Sequence, residues 1–268
     1  MGNSLKRYYV GWDVSGWHTD RDALCVLTDN GPCPQLEGEP WCHNLRDLIV
    51  RETGWQLLAS VLRNCCVEID NGLELILAID APLGWPISVT DLLTGYKTEP
   101  VGSTGKHNPY LFRATELFLK ERGFQPKSVV SDRIGSPSTK AIHFLSVVEL
   151  QPPEKVGVWE DQRDQKKVTV IETYPAVCKR SMTLNKHFCT LSINGAFQNS
   201  LTGYDRYDED LKDALYCALV AWMFAANRRN ELQAPDENVP AEEGWIWVPQ
   251  DALKSTSDQI ECGTIENG

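Results

Sequence analysis

Acidic residues stand at the ends of three apolar runs, and this placement is the strongest chemical signal in the chain. Tyr8-Tyr9-Val10-Gly11-Trp12 leads into Asp13, Leu75-Ile76-Leu77-Ala78-Ile79 into Asp80, and Val168-Thr169-Val170-Ile171 into Glu172. With 37 Asp and Glu among 268 residues, a position is acidic about one time in seven, so three of three is a rare outcome for unconstrained sequence. Asp210 and Asp213 add a further pair, three residues apart and so on one edge of a helix. Acids in a first helical turn also offset the helix dipole, a reading that covers Asp208 and Glu209. Asp213 is different: its face continues into Val220 and Phe224, and a covered carboxylate needs a partner or a metal. Carboxylates that converge on one crevice repel one another unless a divalent cation neutralises them, and oxygen-only donors select Mg²⁺ or Mn²⁺. Two such ions, bracketed by acids from separate rigid elements, suit phosphodiester hydrolysis by water without a covalent intermediate.

The elements that must position these acids follow from periodicity. Residues 8–14 and 22–28 read as strands, with turn signals at Ser15-Gly16 and Asn30-Gly31-Pro32 and a short third strand around 40–43. The spacing of Leu45, Leu48, Ile49, Leu57, Leu58, Val61 and Leu62 predicts a helix over 45–66, interrupted at Gly54. Residues 73–79 and 168–171 are apolar enough to be buried strands. Between them, 82–108 reads as a long Gly/Pro-punctuated loop, 109–122 and 138–150 as helices, and 152–167 as polar connection. A short helix follows Pro175, residues 208–227 form a helix buried nearly all round, and 243–248 close the fold as a strand or packed edge. The expectation is one α/β domain over 1–254, a mixed central sheet flanked by helices with a helical insertion around 83–167, and a frayed polar tail at 255–268. Groups at the carboxyl ends of parallel strands in such a sheet share one crevice.

The order of these motifs resembles the RNase H-like fold, in its RuvC-type branch. More closely, Gly11-Trp12-Asp13, Ala78-Ile79-Asp80-Ala81-Pro82-Leu83-Gly84, Phe112-Arg113-Ala114-Thr115-Glu116, Glu172-Thr173-Tyr174-Pro175, Asp210-Leu211-Lys212-Asp213-Ala214-Leu215 and the ending Glu243-Gly244-Trp245-Ile246-Trp247-Val248-Pro249 are similar to the predicted nucleases grouped as domain of unknown function 429. The resemblance runs from about residue 7 to 249. It implies a metal-dependent nuclease in which Asp13, Asp80, Asp210 and Asp213 hold Mg²⁺ or Mn²⁺, as two ions, with Glu172 as a further ligand or water-orienting group. Glu209 departs from the family, which often has His there.

Arg113 and Glu116, i and i+3 on a helix, have two readings of equal weight: a weak intrahelical ion pair, or an arginine that binds substrate phosphate beside the metals. Lys106, His107, Arg133 and Lys140 extend a basic rim on the second reading and are scattered surface charge on the first. The net charge of −11 argues against a protein that coats nucleic acid nonspecifically, leaving nucleic acid as a substrate held locally. Nine tryptophans suggest a rival function, a non-catalytic module that binds a protein or small molecule through a Trp-rich cleft. Gly102-Ser103-Thr104-Gly105-Lys106 is no P-loop, because Pro100 and His107 occupy positions that need Gly and Ser/Thr, and an actin-like phosphate loop after Asp13 is missing. None of nine cysteines makes a CxxC pair, and Cys33, Cys42 and His43 have poor spacing for zinc. Reduced thiols, no apolar leader in residues 1–6 and no bilayer-length apolar run together lead to the expectation of a cytoplasmic protein without a membrane partner.

Overall fold

The computed structural model describes residues 6–19, 21–30, 33–68, 73–102, 108–151, 153–163, 166–193, 207–226 and 228–254. Chain order runs through strands β1 (Lys6–Asp13), β2 (Asp22–Asn30), β3 (Cys33–Leu36) and β4 (Trp41–His43), then helices α1 (Arg46–Arg51) and α2 (Gly54–Asn64). Strand β5 (Leu73–Asp80) is followed by α3 (Ile87–Gly95), α4 (Ala114–Glu121) and α5 (Asp132–Val147). Strands β6 (Trp159–Arg163) and β7 (Lys166–Glu172) lead into α6 (Pro175–Cys178), α7 (Met182–Ile193) and α8 (Tyr207–Ala225). The seven strands form one open, mixed sheet in the order β3-β2-β1-β5-β7-β6, with β4 also on β2. β1, β5 and β7 run parallel, while β2 and β6 pair antiparallel on either side of them. The protein is therefore α/β, with helices on both sheet faces.

Alternation along the strands makes two cores. Tyr9, Ile76, Ala78 and Ile171 point to the face covered by α8, together with Val177, Leu184 and Trp247. Tyr8, Val10, Trp12, Leu75, Leu77, Ile79, Val168 and Val170 point to the other, covered by Ile49 of α1, Leu57 and Val61 of α2 and Phe144 of α5. A Cβ on Gly11 would lie 1.9 Å from the Ala214 carbonyl oxygen, so the absence of a side chain there lets the α8 backbone sit directly on β1. That close approach brings the acidic start of α8 to the carboxyl end of β1.

Several boundaries differ from the sequence reading. The helix expected over 45–66 is two helices, because Glu52 and Thr53 are extended and Gly54 has a φ of 55°. The short strand expected around 40–43 is β4, and β3 over Cys33–Leu36 is an additional strand. The region 83–167 is not wholly helical: β6 joins the sheet edge as a short charged strand, a composition suited to an edge. The loop expected over 82–108 contains α3, and α5 begins six residues before Ser138, accommodating Pro137 inside it. Of the two forms expected for 243–248, the packed edge is the one found: after a 3-10 turn over Ala241–Glu243, the buried Trp245–Val248 segment meets the end of β7 through an isolated parallel bridge from Glu172 to Ile246. The tail at 255–268 lies outside the described residues. Among the described residues, no helix is long and apolar enough to cross a membrane.

Candidate active site

Asp13 and Asp80 are register partners on adjacent parallel strands, so their side chains leave the same sheet face side by side, toward α8. Both line a cleft of about 300 Å³ at the carboxyl end of the sheet. Neither carboxylate accepts a hydrogen bond from any described residue. Each keeps a small wet surface on the cleft while the rest of its surroundings are protein. Burial is accordingly the first cause that raises both carboxyls, and charge is the second. Asp13 lies well above the usual carboxylate range, through burial and then through Asp80, Asp213, Asp210 and Asp22. Asp80 is pushed up to about 8 by burial, then by Asp213 and Glu172, with Lys179 opposing. Burial and neighbouring charge therefore both disfavour the ionised form of this pair.

Asp210 and Asp213 are not among the cleft-lining side chains, though their charges reach Asp13. Asp213 Oδ1 is buried without a well-aligned hydrogen bond, and Lys179 Nζ lies 2.7 Å from it as an ion-pair partner. Lys179 also donates to Glu209 Oε2 at 3.2 Å. Burial raises the Asp213 carboxyl and the lysine counteracts this. Lys179, just after α6, was not visible as a site residue in the sequence; its only signal is a basic position seven residues beyond the strand-end Glu172.

Glu172 is the exception among the strand-end acids. It pairs with Ile79, not Asp80, so it leaves the opposite face of the sheet from Asp13 and Asp80. There it is locked. Arg113 Nη2 donates to Glu172 Oε1 at 2.6 Å and Nη1 to Oε2 at 2.8 Å, and the Leu83 backbone N–H donates to Oε2 at 2.9 Å. Arg113 Nε and Nη2 also donate to Glu116 Oε1 at 3.1 and 3.0 Å, and Nη1 to the Glu243 carbonyl at 2.9 Å. All five guanidinium hydrogens are thus used within a fully buried cluster, which corrects the reading of Arg113 as a phosphate ligand. Glu116 is equally committed: its Oε2 accepts the Arg113 backbone N–H at the start of α4. Gly244, at a φ of 73°, brings the following chain over this cluster; a Cβ there would meet Trp159 at 3.3 Å. The Glu243 carboxylate caps two helices, accepting the Ile87 N–H of α3 at 2.9 Å and the Ala114 N–H of α4 at 2.8 Å.

Lys140 is also corrected. It is fully buried, with Nζ 2.5 Å from Asp22 Oδ2, and Asp22 further accepts from Trp12 Nε1, Ser15 N and Leu45 N. Arg133 does line the cleft, as does Lys127, which the sequence reading passed over. Lys106 and His107 lie outside the described residues. No tryptophan lines this cleft; Trp12, Trp159, Trp222, Trp245 and Trp247 are buried in the cores.

Among the described residues, no three His, Cys, Asp or Glu side chains are gathered so as to hold a metal ion unaided. Of the four carboxylates that line the cleft, Glu116 and Glu172 are committed to Arg113, and Asp13 and Asp80 carry no competing hydrogen bond. Mg²⁺ commonly takes one or two carboxylates and completes its octahedron with waters and substrate phosphate, so this incomplete set fits a hard cation that binds together with an anionic substrate. No protein-family model, curated protein or solved structure matches the chain.

Proposed function

We propose that the chain is an RNase H-like, divalent-metal-dependent nuclease that hydrolyses phosphodiester bonds. The observation that carries this reading is the in-register pair Asp13 and Asp80, lining the cleft without hydrogen bonds, both raised by burial and by neighbouring carboxylates. Such mutual repulsion is relieved by a proton or by a cation. Asp13 and Asp80 are the residues that would hold Mg²⁺ or Mn²⁺, with Asp213 and Asp210 adding negative potential from α8. Bound there, the metal supplies Lewis-acid polarisation of the phosphate and a more acidic water, with two ions as the fullest form. The chain's own contribution is orientation: β1 and β5 fix the two carboxylates, and the Arg113–Glu172 cluster holds the loop at Leu83 against the site. Sheet order and the position of the last long helix are compatible with the proposed fold.

Calorimetric titration of Mn²⁺ into the metal-free wild type, with and without a phosphodiester analogue, tests the reading. Binding is expected in the presence of the analogue and is expected to vanish in Asp13→Asn. Equal Mn²⁺ affinity in the variant, or no binding in the wild type under either condition, overturns the shared-site assignment.

A further inference from the structure

The cleft has a second wall whose chemistry the carboxylates do not explain. Residues 126–137 contribute Pro126, Lys127, Arg133, Ile134 and Pro137 to its lining. Lys127 and Arg133 are exposed, and among the described residues neither side chain has a carboxylate or hydrogen-bond partner. Other lysines and arginines around the site are spent: Arg113 on Glu172 and Glu116, Lys140 on Asp22, Lys179 on Asp213 and Glu209. In a chain of net charge −11, two unpaired cations facing two bare carboxylates across one cavity mark a place where a cation and an anion are to be held together. Tyr174 and Ile246 add an aromatic ring and an apolar surface to the lining, and the Arg113–Glu172–Glu116 cluster lies in the same wall, already internally paired.

We propose that this cleft takes a single nucleotide unit with an unpaired base. Its phosphate is held by Lys127 and Arg133 next to Asp13 and Asp80, and its base lies against Tyr174 and Ile246. The bond broken rests on the phosphodiesterase reading above; the ligand bound does not. Size is compatible with the assignment, since about 300 Å³ is at the lower end of small-molecule pockets. Charge supports it too. Two cations serve one phosphate, whereas the acidic body repels the long phosphate tract of a duplex. Aromatic stacking is tolerant of base identity, so the cleft discriminates paired from unpaired more than one sequence from another. The same chemistry is offered by a free nucleotide and by an unpaired strand.

Titrating the full chain with thymidine 5′-monophosphate, a short oligothymidylate and a blunt duplex of equal length, each with and without Mn²⁺, tests the proposal. The monophosphate is expected to bind, and Lys127→Ala and Arg133→Ala are each expected to weaken it about tenfold. Tyr174→Leu is expected to weaken the monophosphate while leaving inorganic phosphate unchanged. Oligothymidylate binding as well as the monophosphate identifies a strand as the source; the monophosphate alone identifies a free nucleotide. Duplex binding as tight as oligothymidylate, unchanged affinity in the Lys127→Ala/Arg133→Ala double variant, or no binding of any probe overturns the proposal. Silence toward Mn²⁺ with nucleotide binding that still depends on Lys127 and Arg133 overturns the hydrolytic reading alone.

Discussion

Asp80 and Glu172 end neighbouring strands of the same sheet, and their surroundings are opposite in kind. Glu172 is held by a bidentate arginine and a backbone N–H, with Glu116 and the Glu243 carbonyl filling the rest of that arginine. Asp80 has no hydrogen bond from the described residues and faces Asp13 directly. One carboxylate is compensated by the protein and the other is left for something that arrives later. A one-residue difference in register decides which is which, because it turns the side chains to opposite faces. Polar satisfaction thus separates the acid that builds the cleft from the acids that face into it.

The comparison breaks most visibly at the arginine. Arg113→Met leaves Glu172 and Glu116 buried without their cation, and is expected to cost about 3–5 kcal/mol in urea unfolding. A loss below about 1 kcal/mol would mean that the cluster is not compensated as its geometry indicates. Gly11→Ala tests the link between β1 and α8: its Cβ must push the Ala214 backbone away, for an expected loss of about 3 kcal/mol. Mn²⁺ binding should weaken in parallel, since the acids of α8 move from Asp13.

On the uncompensated side the sign reverses. The folded chain holds a proton on Asp80 up to about pH 8, whereas an unfolded aspartate releases it near 3.8. The folded state binds more protons in that window, so stability falls as pH rises from about 4 to about 8. Asp80→Asn should lessen that slope, the part due to buried Asp13 remaining, and gain on the order of 1–3 kcal/mol at pH 8, read from denaturation midpoints at pH 5 and pH 8. A wild type equally stable at both values, with no gain in the variant, would show that the pair is not under charge strain. Lys179→Ala is the smallest test. Its half-exposed ion pairs predict a stability change under about 1 kcal/mol, with Mn²⁺ affinity rising as Asp213 loses its lysine.

What the sequence carried well were features written locally. Strand-end acids, the apolar runs of β1, β5 and β7 and the all-round burial of α8 depend on neighbours a few residues away. The parity that separates Glu172 from Asp80 does not, because register is fixed by how whole strands meet. Nor could spacing reveal the pairing of Arg113 with Glu172, 59 residues apart, or of Lys140 with Asp22, 118 apart. Both lysine and arginine resemble surface charge until the partner's position is known. Sheet joining by β6 was missed for a related reason: an exposed edge strand lacks the apolar alternation that announces a half-buried one.

Glu243 gives the cleft a place in time. One carboxylate anchors the starts of α3 and α4, reaching back 156 and 129 residues along the chain. A growing polypeptide therefore carries both cleft aspartates long before it owns the cap for the helices beside them. Until residue 243 has emerged, α3 and α4 have no common anchor, and the acid pair faces water without its finished enclosure. Synthesis itself thus delays completion of the cleft until almost the whole described chain is made.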